Sequence, residues 1–366
     1  MVNLSTLFDT SRDIFAKFTK NKKHAYLPMR YFFELTHRCN LSCPYCYLNK
    51  NKVKDEMTTD EWINVINQIP FYSIVSLVGG EPLLREDFIK ILRACSKRVH
   101  HKTHLITNGV LMDDRIVSAL VKYKILLLSV SLDGWMEHHD IERGIKDSSK
   151  SAFKRILNNL DNLSLQCKTS HTNIMVDIKT IVLKDNLEDI LKLYEFATNR
   201  GFEFFSISFL RNNELKQNPC LSDTFKEEFY AEDYPIELYF DLEKFEKIYL
   251  EIQKIKKFSK TKIRFAPKFD DTNSKEELDK IKRFFLEKRP IKEIYEPCLY
   301  PWANTIINPS GDIYPCLSYK MGNIKDTKLT DIINSKKYML FKENLKHEQV
   351  FSACQMCCEL KVKGNK

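Results

Sequence analysis

Three cysteines within eight residues constrain this chain more than any other feature. Cys39, Cys43 and Cys46 are separated by three and then two residues. One loop of this size can bring all three thiolates to one centre, but it cannot supply a fourth ligand. Closed zinc sites and ordinary ferredoxin clusters use four protein ligands. The loop therefore suggests an iron–sulfur cluster with one iron open to a non-protein ligand. A zinc site with a remote fourth ligand, or cysteines that only pack, are the alternatives.

The composition allows a large packed core and points to metal rather than to disulfides. The 366 residues, of which 43% are hydrophobic, suggest two domains or one large domain with an extension. The sequence has no run of 18 apolar residues and no signal-peptide pattern, so we expect a cytoplasmic protein. The eleven cysteines are odd in number and clustered, which argues against a secreted disulfide framework.

The formal charge of +9 is spread along the chain and does not form a basic stripe. Nucleic-acid binding usually needs clustered Lys and Arg with interleaved aromatic residues. The charge pattern therefore argues against a nucleic-acid partner.

The first 29 residues predict an amphipathic helix with a basic tail. Apolar residues recur there at helical spacing: Leu4, Leu7, Phe8, Ile14, Phe15 and Phe18. This face can cap one end of the core. In the alternative, residues 4–18 lie on the inner face of an anionic membrane as a peripheral contact.

Residues 30–210 predict six strand–helix units. Thr58 with Glu61 three residues later forms a capping box that starts the first helix. Near-continuous apolar strands favour a parallel sheet covered on both faces. The strands are expected at residues 31–36, 72–78, 101–106, 125–132, 172–183 and 202–210.

Four motifs directly follow the first four predicted strands. They are the cysteine loop, the Gly-Gly-Glu-Pro run at 79–82, Thr-Asn-Gly at 107–109, and Asp133-Gly134. In parallel barrels the carboxyl ends of the strands form one face, where active sites are built. We therefore expect these motifs to meet at one mouth.

Cysteines return after residue 291. Cys316 closes a G-x4-C pattern that begins at Gly311, and Cys354 and Cys357 form a C-x2-C pair followed by Cys358. A hairpin is expected across 305–314. Thiolates alone do not separate an iron–sulfur cluster from a four-cysteine zinc site. The preceding stretch, 211–290, predicts a linker or insertion with helices at 242–258 and 275–288.

The C-x3-C-x2-C spacing, with Tyr45 before the third cysteine, resembles the signature of radical S-adenosylmethionine (radical SAM) enzymes. This resemblance implies an α/β fold with a partial (β/α)6 TIM-type barrel. It also implies a [4Fe-4S] cluster on Cys39, Cys43 and Cys46, with SAM chelating the open iron. In that family the cluster receives its electron from an external flavodoxin- or ferredoxin-type donor, and SAM yields a 5′-deoxyadenosyl radical.

The same resemblance assigns candidate SAM contacts. The Gly-Gly-Glu motif is expected at the methionine amino group, Ser131 and Asn108 at the ribose and carboxylate, and Arg143 at the carboxylate, with a surface charge as its alternative. Glu34 is either a substrate contact or a buried, partnered acid. The cofactor-binding set is Tyr45, Gly79, Gly80, Glu81, Asn108, Ser131 and Arg143. No substrate base is assigned.

The C-terminal cysteines resemble the SPASM/twitch extension of the same superfamily. Position 363 is Lys and no cysteine follows Cys358, so the pattern resembles the shorter twitch form. The resemblance implies one auxiliary [4Fe-4S] cluster on Cys298, Cys316, Cys354 and Cys357, with Cys358 as the alternative to Cys357.

These observations predict four segments: an N-terminal helix (1–29), a radical SAM core (30–210), a linker or insertion (211–290) and a SPASM/twitch domain (291–366). The expected function is oxidative or bond-forming modification of a peptide or a small metabolite through hydrogen abstraction. One alternative is a lipid- or glycan-linked substrate at a membrane surface. The non-enzyme alternative is a zinc-bearing nucleic-acid-binding module.

Overall fold

The structure is a computed structural model of the full chain. It describes residues 4–22, 24–46, 48, 55–145, 151–210, 236–269, 274–316, 319–351 and 354–364, and the side chains from residue 11 onward.

Ten described strands form one sheet. They are β1 (Arg30–Glu34), β2 (Ile74–Val78), β3 (Thr103–Thr107), β4 (Leu127–Ser131), β5 (Met175–Val182), β6 (Phe204–Phe209), β7 (Lys262–Ala266), β8 (Asn304–Ile307), β9 (Asp312–Tyr314) and β10 (Gly322–Asn323). Their order is β10-β9-β8-β1-β2-β3-β4-β5-β6-β7. Every pair from β8 to β7 in this order is parallel, whereas β8–β9 and β9–β10 are antiparallel.

Helices connect most of these strands. They are α1 (Leu4–Thr19), α2 (Thr59–Gln68), α3 (Phe88–Arg98), α4 (Asp114–Lys122), α5 (Glu137–Glu142), α6 (Ala152–Thr169), α7 (Leu187–Asn199), α8 (Leu242–Lys256), α9 (Ser274–Leu286), α10 (Ile291–Ile294), α11 (Tyr300–Ala303), α12 (Leu329–Ile333) and α13 (Lys336–Glu348). The alternation of strand and helix from β1 to β6 confirms the predicted α/β fold with a partial barrel.

The capping box predicted at the start of α2 is present. The Glu61 amide donates to the Thr58 hydroxyl at 3.3 Å, and the Thr58 amide donates to the Glu61 carboxylate at 2.7 Å. Two amides of the helix start are thereby satisfied, which is why the helix begins here. Trp62, one residue further on, is buried and its ring lies 5.2 Å from the ring of Phe33 on β1.

The two faces of the sheet differ in chemistry. Residues such as Tyr31 and Phe33 of β1 are buried beneath the helices. Their neighbours Arg30, Phe32 and Glu34 point to the opposite side, because side chains alternate along a strand. We call this opposite side the inner face, and its polar residues are described below.

The described part of the predicted linker or insertion at 211–290 contains one strand that was not predicted. Residues 236–269 and 274–290 contain α8 and α9, as expected, but β7 lies between them and pairs in parallel with β6. The sheet therefore continues past the six predicted units. Strand β7 was missed because its five residues, Lys-Ile-Arg-Phe-Ala, lie in a charged stretch and show no longer apolar run. Residues 211–235 lie outside the described part of the chain.

The C-terminal region joins the same sheet from the other side. Strand β8 pairs in parallel with β1, in register from Arg30 with Asn304 to Phe33 with Ile307. The predicted hairpin is present as β8 and β9. The C-terminal segment, which carries the last five cysteines, therefore pairs directly with β1, the strand that precedes the cysteine loop.

Helix α1 packs against α11 and so contacts this C-terminal region. Ala16 and Thr19 are buried, whereas Ile14 and Phe18 are 62% and 58% exposed. Among the helices of the described segments, none has both the length and the apolar character needed to cross a membrane.

Candidate functional site

The cysteine loop begins directly after β1 and folds back on itself. The Leu41 amide donates to the Cys39 sulfur at 3.4 Å, and the Cys46 amide donates to the Cys43 carbonyl at 3.2 Å. All three thiols are partly buried. Amide hydrogen bonds to sulfur are one of the protein's means of tuning an iron–sulfur centre.

The Gly-Gly pair after β2 allows a close backbone approach to the segment before this loop. Gly79 has φ of +135°, and a Cβ there would lie 2.3 Å from the Thr36 carbonyl oxygen. A Cβ on Gly80 would lie 2.3 Å from the Arg38 carbonyl oxygen. The amides of Gly80 and Glu81 donate to these two oxygens at 2.7 and 2.8 Å. Only glycine fits both positions, so this pair holds the entry to the cysteine loop against the end of β2.

The Glu81 carboxylate is fully buried and has all its contacts within the protein. It accepts the Leu83 amide at 3.1 Å, the Thr107 hydroxyl at 2.8 Å and the Asn108 amide at 2.8 Å. Burial raises the pKa of Glu81 to about 7. The three hydrogen bonds act in the opposite direction and lower the pKa, but burial has the larger effect. Glu81 therefore ties the end of β2 to the end of β3, and its geometry favours a positioning role over direct contact with a ligand.

Asn108 connects the end of β3 to the cysteine loop. Its side-chain amide donates to the Asn40 side-chain oxygen at 2.8 Å and lies 3.9 Å from the Cys39 sulfur. Ser131 is half-buried as the last residue of β4, where it pairs in register with Lys179 of β5. The predicted strand-end motifs therefore do meet at one edge of the sheet.

A buried group of three side chains fastens the loop to the segment after β4. The Asp133 carboxylate accepts the Tyr45 hydroxyl at 2.5 Å and pairs with the Arg143 guanidinium at 2.5 Å. A second guanidinium nitrogen of Arg143 lies 3.8 Å from the Cys43 sulfur. Burial and then the charge of Asp133 raise the pKa of Tyr45 far above its ordinary range, so its hydroxyl stays a donor.

Arg143 is therefore not a surface charge, because its side chain is only 11% exposed. It pairs with Asp133, and its predicted pairing with a carboxylate of SAM stays a prediction. Asp133 itself was not among the predicted site residues. The available signal was its place in Asp133-Gly134 directly after a strand, but sequence alone does not show that it receives both Tyr45 and Arg143.

Glu34 is a buried, partnered acid. Its carboxylate lies 3.2 Å from the ring nitrogen of His37, and both side chains are buried. This is one of the two alternatives expected for Glu34.

The C-terminal cysteines come from three separate segments. Burial and then the charge of Cys354 raise the pKa of the Cys298 thiol to about 12. Cys316 and Cys357 are partly buried against the core, whereas Cys358 is exposed. Burial, then Glu359, and after it the Cys358 and Cys316 thiols, raise the pKa of Tyr300 well above its ordinary value. Whether Cys357 or Cys358 completes the group stays a prediction.

Thiol chemistry decides what these groups can hold. In the described part of the chain, no three His, Cys, Asp or Glu side chains converge closely enough for one metal ion. An iron–sulfur cluster takes one thiolate per iron, so its ligands need not meet at one atom. The three thiols of the 39–46 loop, one of which accepts a backbone amide, fit a cluster with one open iron. The C-terminal region supplies the four thiols that a fully ligated cluster needs, and this assignment stays a prediction.

Two family models match this chain. The model described as the radical SAM superfamily matches residues 33–204. The model described as the SPASM iron-sulfur cluster-binding domain matches residues 298–358.

Several curated proteins are similar in sequence. The sporulation killing factor maturation protein SkfB of Bacillus subtilis is 27% identical over 50% of this chain and 42% of its own length. An AdoMet-dependent heme synthase of Methanosarcina barkeri is 26% identical over 90% of this chain and 88% of its own. A PqqA peptide cyclase of Granulibacter bethesdensis is 35% identical over 48% of this chain and 45% of its own. The match thus spans less than half the length of SkfB and of the cyclase.

Solved structures share the fold. Streptococcus suis SuiB bound to its precursor peptide SuiA has a TM-score of 0.61 at 17% identity, covering 98% of this chain and 77% of SuiB. The protein anSMEcpe with bound AdoMet and the Kp18Cys peptide has a TM-score of 0.58 at 18% identity, covering 92% of this chain and 93% of that protein.

Proposed function

We propose that this chain, which belongs to the radical SAM superfamily and carries a C-terminal SPASM domain, modifies a peptide by abstracting a hydrogen atom. As such an enzyme it uses a [4Fe-4S] cluster and SAM, and its SPASM domain binds auxiliary iron–sulfur. These matches replace the zinc-bearing nucleic-acid-binding alternative. Cluster and SAM together supply a 5′-deoxyadenosyl radical once an external donor has provided an electron.

The observation that carries this proposal is the three-thiol loop held at the carboxyl ends of parallel strands by buried contacts. In the proposed arrangement Cys39, Cys43 and Cys46 hold the cluster with the open iron. Around them, the chain's own residues orient the loop. Gly79 and Gly80 let its entry pack against β2, and Asp133 anchors it through Tyr45 and Arg143. These buried contacts limit the loop's motion and its access to water.

The assignment of a peptide substrate rests on the relatives of this chain that act on or bind peptides. SkfB is a maturation protein, the cyclase acts on the PqqA peptide, and SuiB binds a precursor peptide. A small metabolite is the second candidate, because the heme synthase aligns over 90% of this chain. For a lipid- or glycan-linked substrate at a membrane, the support from the described side chains of α1 is the exposure of Ile14 and Phe18.

Metal content and SAM cleavage test the proposal together. Two four-iron clusters require about eight irons per anaerobically reconstituted chain. With dithionite and SAM, the protein should release 5′-deoxyadenosine. The triple variant Cys39→Ala, Cys43→Ala, Cys46→Ala should keep about four irons and lose this release. Cys167→Ala in α6 is the matched control, and it should keep both.

Stoichiometric zinc without acid-labile sulfide in the parent protein would end the hypothesis. So would release of 5′-deoxyadenosine at the parent rate from the triple variant.

A further inference from the structure

A continuous line of polar side chains crosses the inner face below the cysteine loop. Ser76 and the ring of His104 lie 3.2 Å apart, and the other ring nitrogen of His104 is 2.9 Å from Ser129. The Asp177 carboxylate accepts Ser129 at 3.0 Å and Ser206 at 2.7 Å. These five residues are buried and come from β2, β3, β4, β5 and β6. None of them belongs to the candidate cluster sites.

Three cationic side chains border this line. Arg30 of β1 lies 3.3 Å from both Ser76 and His104. Lys179 of β5 pairs in register with Ser206, which in turn pairs with Arg264 of β7. Because neighbouring strands are about 4.8 Å apart, Lys179 and Arg264 stand two strands, or about 10 Å, apart on the same face. All three are partly exposed, so a ligand can reach them.

The described inner face carries more positive than negative charges. Arg30, Lys179 and Arg264 lie on the same face as two carboxylates: Asp177, which accepts two serine hydroxyls, and Glu34, which lies nearer the mouth against His37. Arg30 donates only to neutral groups, and no carboxylate of the described residues lies within ion-pair distance of Arg30 or Lys179. Burial, and then Arg30, Lys179 and Arg264, lower the pKa of His104 well below its usual value, so His104 is neutral. Partly buried cations without a counter-charge favour an anionic ligand.

We propose that the inner face binds a carboxylate of the substrate, an Asp or Glu side chain of a peptide, between Arg30 and Lys179. Arg264 adds a third positive charge on the same face, and the Ser206 hydroxyl lies between it and Lys179. Lys179 is level with Ser131 at the end of β4, so the bound residue would lie directly below the mouth that holds the cysteine loop. This inference rests on the proposed peptide-modifying function and specifies its substrate class.

SAM also carries a carboxylate. The experiment must therefore distinguish binding of a peptide carboxylate from binding of the SAM carboxylate. The probes are two pools of fluorescein-labelled pentapeptides, one with Glu and one with Gln at the central position, and SAM itself. Binding is measured on the reconstituted full chain by fluorescence polarisation for the peptides and by equilibrium dialysis for SAM. The variants are Lys179→Met and Arg30→Met, with Lys168→Met on the exposed part of α6 as the control.

The parent and the Lys168→Met control should bind the Glu pool about tenfold more tightly than the Gln pool, as expected for one charged hydrogen bond. Lys179→Met and Arg30→Met should each remove most of this preference and leave SAM affinity unchanged. The preference should also weaken at high salt, because the face is partly exposed.

Equal binding of the two pools by the parent, including no measurable binding of either, overturns the inference. A Lys179→Met variant that weakens SAM binding but keeps the Glu preference overturns it too, because the lysine then serves the cofactor. Neither result affects 5′-deoxyadenosine release by the parent. Failure of this inference is therefore distinguishable from failure of the proposed function.

Discussion

At the scale of single residues, Glu81 shows how burial changes the role of a motif. The Gly-Gly-Glu run resembles a SAM-binding motif, and a carboxylate there is complementary to an ammonium group. In the structure this carboxylate is wholly enclosed and accepts three hydrogen bonds from Leu83, Thr107 and Asn108. Glu81 should therefore affect SAM binding indirectly, because it holds the ends of β2 and β3 together.

The raised pKa of Glu81 predicts a pH-dependent stability. Its pKa is about 7 in the folded protein and 4.5 in the absence of burial. Between these values the unfolded chain loses a proton that the folded protein retains. The free energy of unfolding should therefore fall as pH rises from about 4.5 to about 7, by about 3 kcal/mol.

Urea unfolding of the parent and of Glu81→Gln over this pH range checks the prediction. The variant has no titrating group at this position, so its stability should lack this part of the decline. The same slope in both proteins would show that the decline has another source.

At the scale of elements, α13 carries a buried positive charge that pairs with no carboxylate of the described segments. Lys342 is buried, with its ammonium 4.7 Å from the ring centre of Tyr338, and burial lowers its pKa to about 8. A desolvated ammonium costs free energy unless it is paired. The helix still forms here because Tyr338, Phe341 and Leu345 bury its apolar side.

We expect Lys342→Met to stabilise the protein by about 1–3 kcal/mol at pH 7, because it removes a buried charge and keeps the chain length. The folded pKa lies below the unfolded one, so the parent should gain stability between about pH 8 and 10.5. The variant should lack that gain. Thermal unfolding across this range measures both effects, with Lys336→Met on the exposed start of α13 as the control. Destabilisation by Lys342→Met at pH 7 would contradict the prediction.

At the scale of the whole molecule, the two ends of the chain meet. Helix α1 packs on α11, Arg12 lies 3.5 Å from Glu359, and Lys346 donates to Asn21 at 2.7 Å. Part of α1 therefore caps the C-terminal region, which was one alternative for this helix. Ile14 and Phe18 remain exposed one turn apart, beside Lys22, whose ammonium lies over the Phe18 ring.

This exposed face predicts cosedimentation with anionic vesicles, weaker at high salt. The double variant Ile14→Ser, Phe18→Ser should lose most of it without unfolding, because neither side chain is buried. The control is Leu165→Ser with Leu286→Ser, two residues of similar exposure elsewhere on the surface. If the parent stays in the supernatant at low salt, the proposed membrane contact is wrong and the core-capping role of α1 suffices.

Short sequence patterns were enough to predict the features of this protein that depend on residues close together in the sequence. The three-thiol loop, the alternation of strands and helices, and the capping box of α2 all follow from spacing within about ten residues. The fold class could therefore be predicted, and the candidate cluster ligands could be proposed. Strand β7 could not, because five residues in a charged stretch are held in the sheet by pairing with β6.

Only the tertiary structure decided which polar side chains meet. Asp133 receives Tyr45 and Arg143 from two distant segments. On the inner face, polar residues such as Ser76 and Ser129 lie within otherwise apolar runs. Such a residue has no local signature, and its partners depend on the register of parallel strands. That register is set by packing of the whole sheet against its helices, and no short stretch of sequence specifies it.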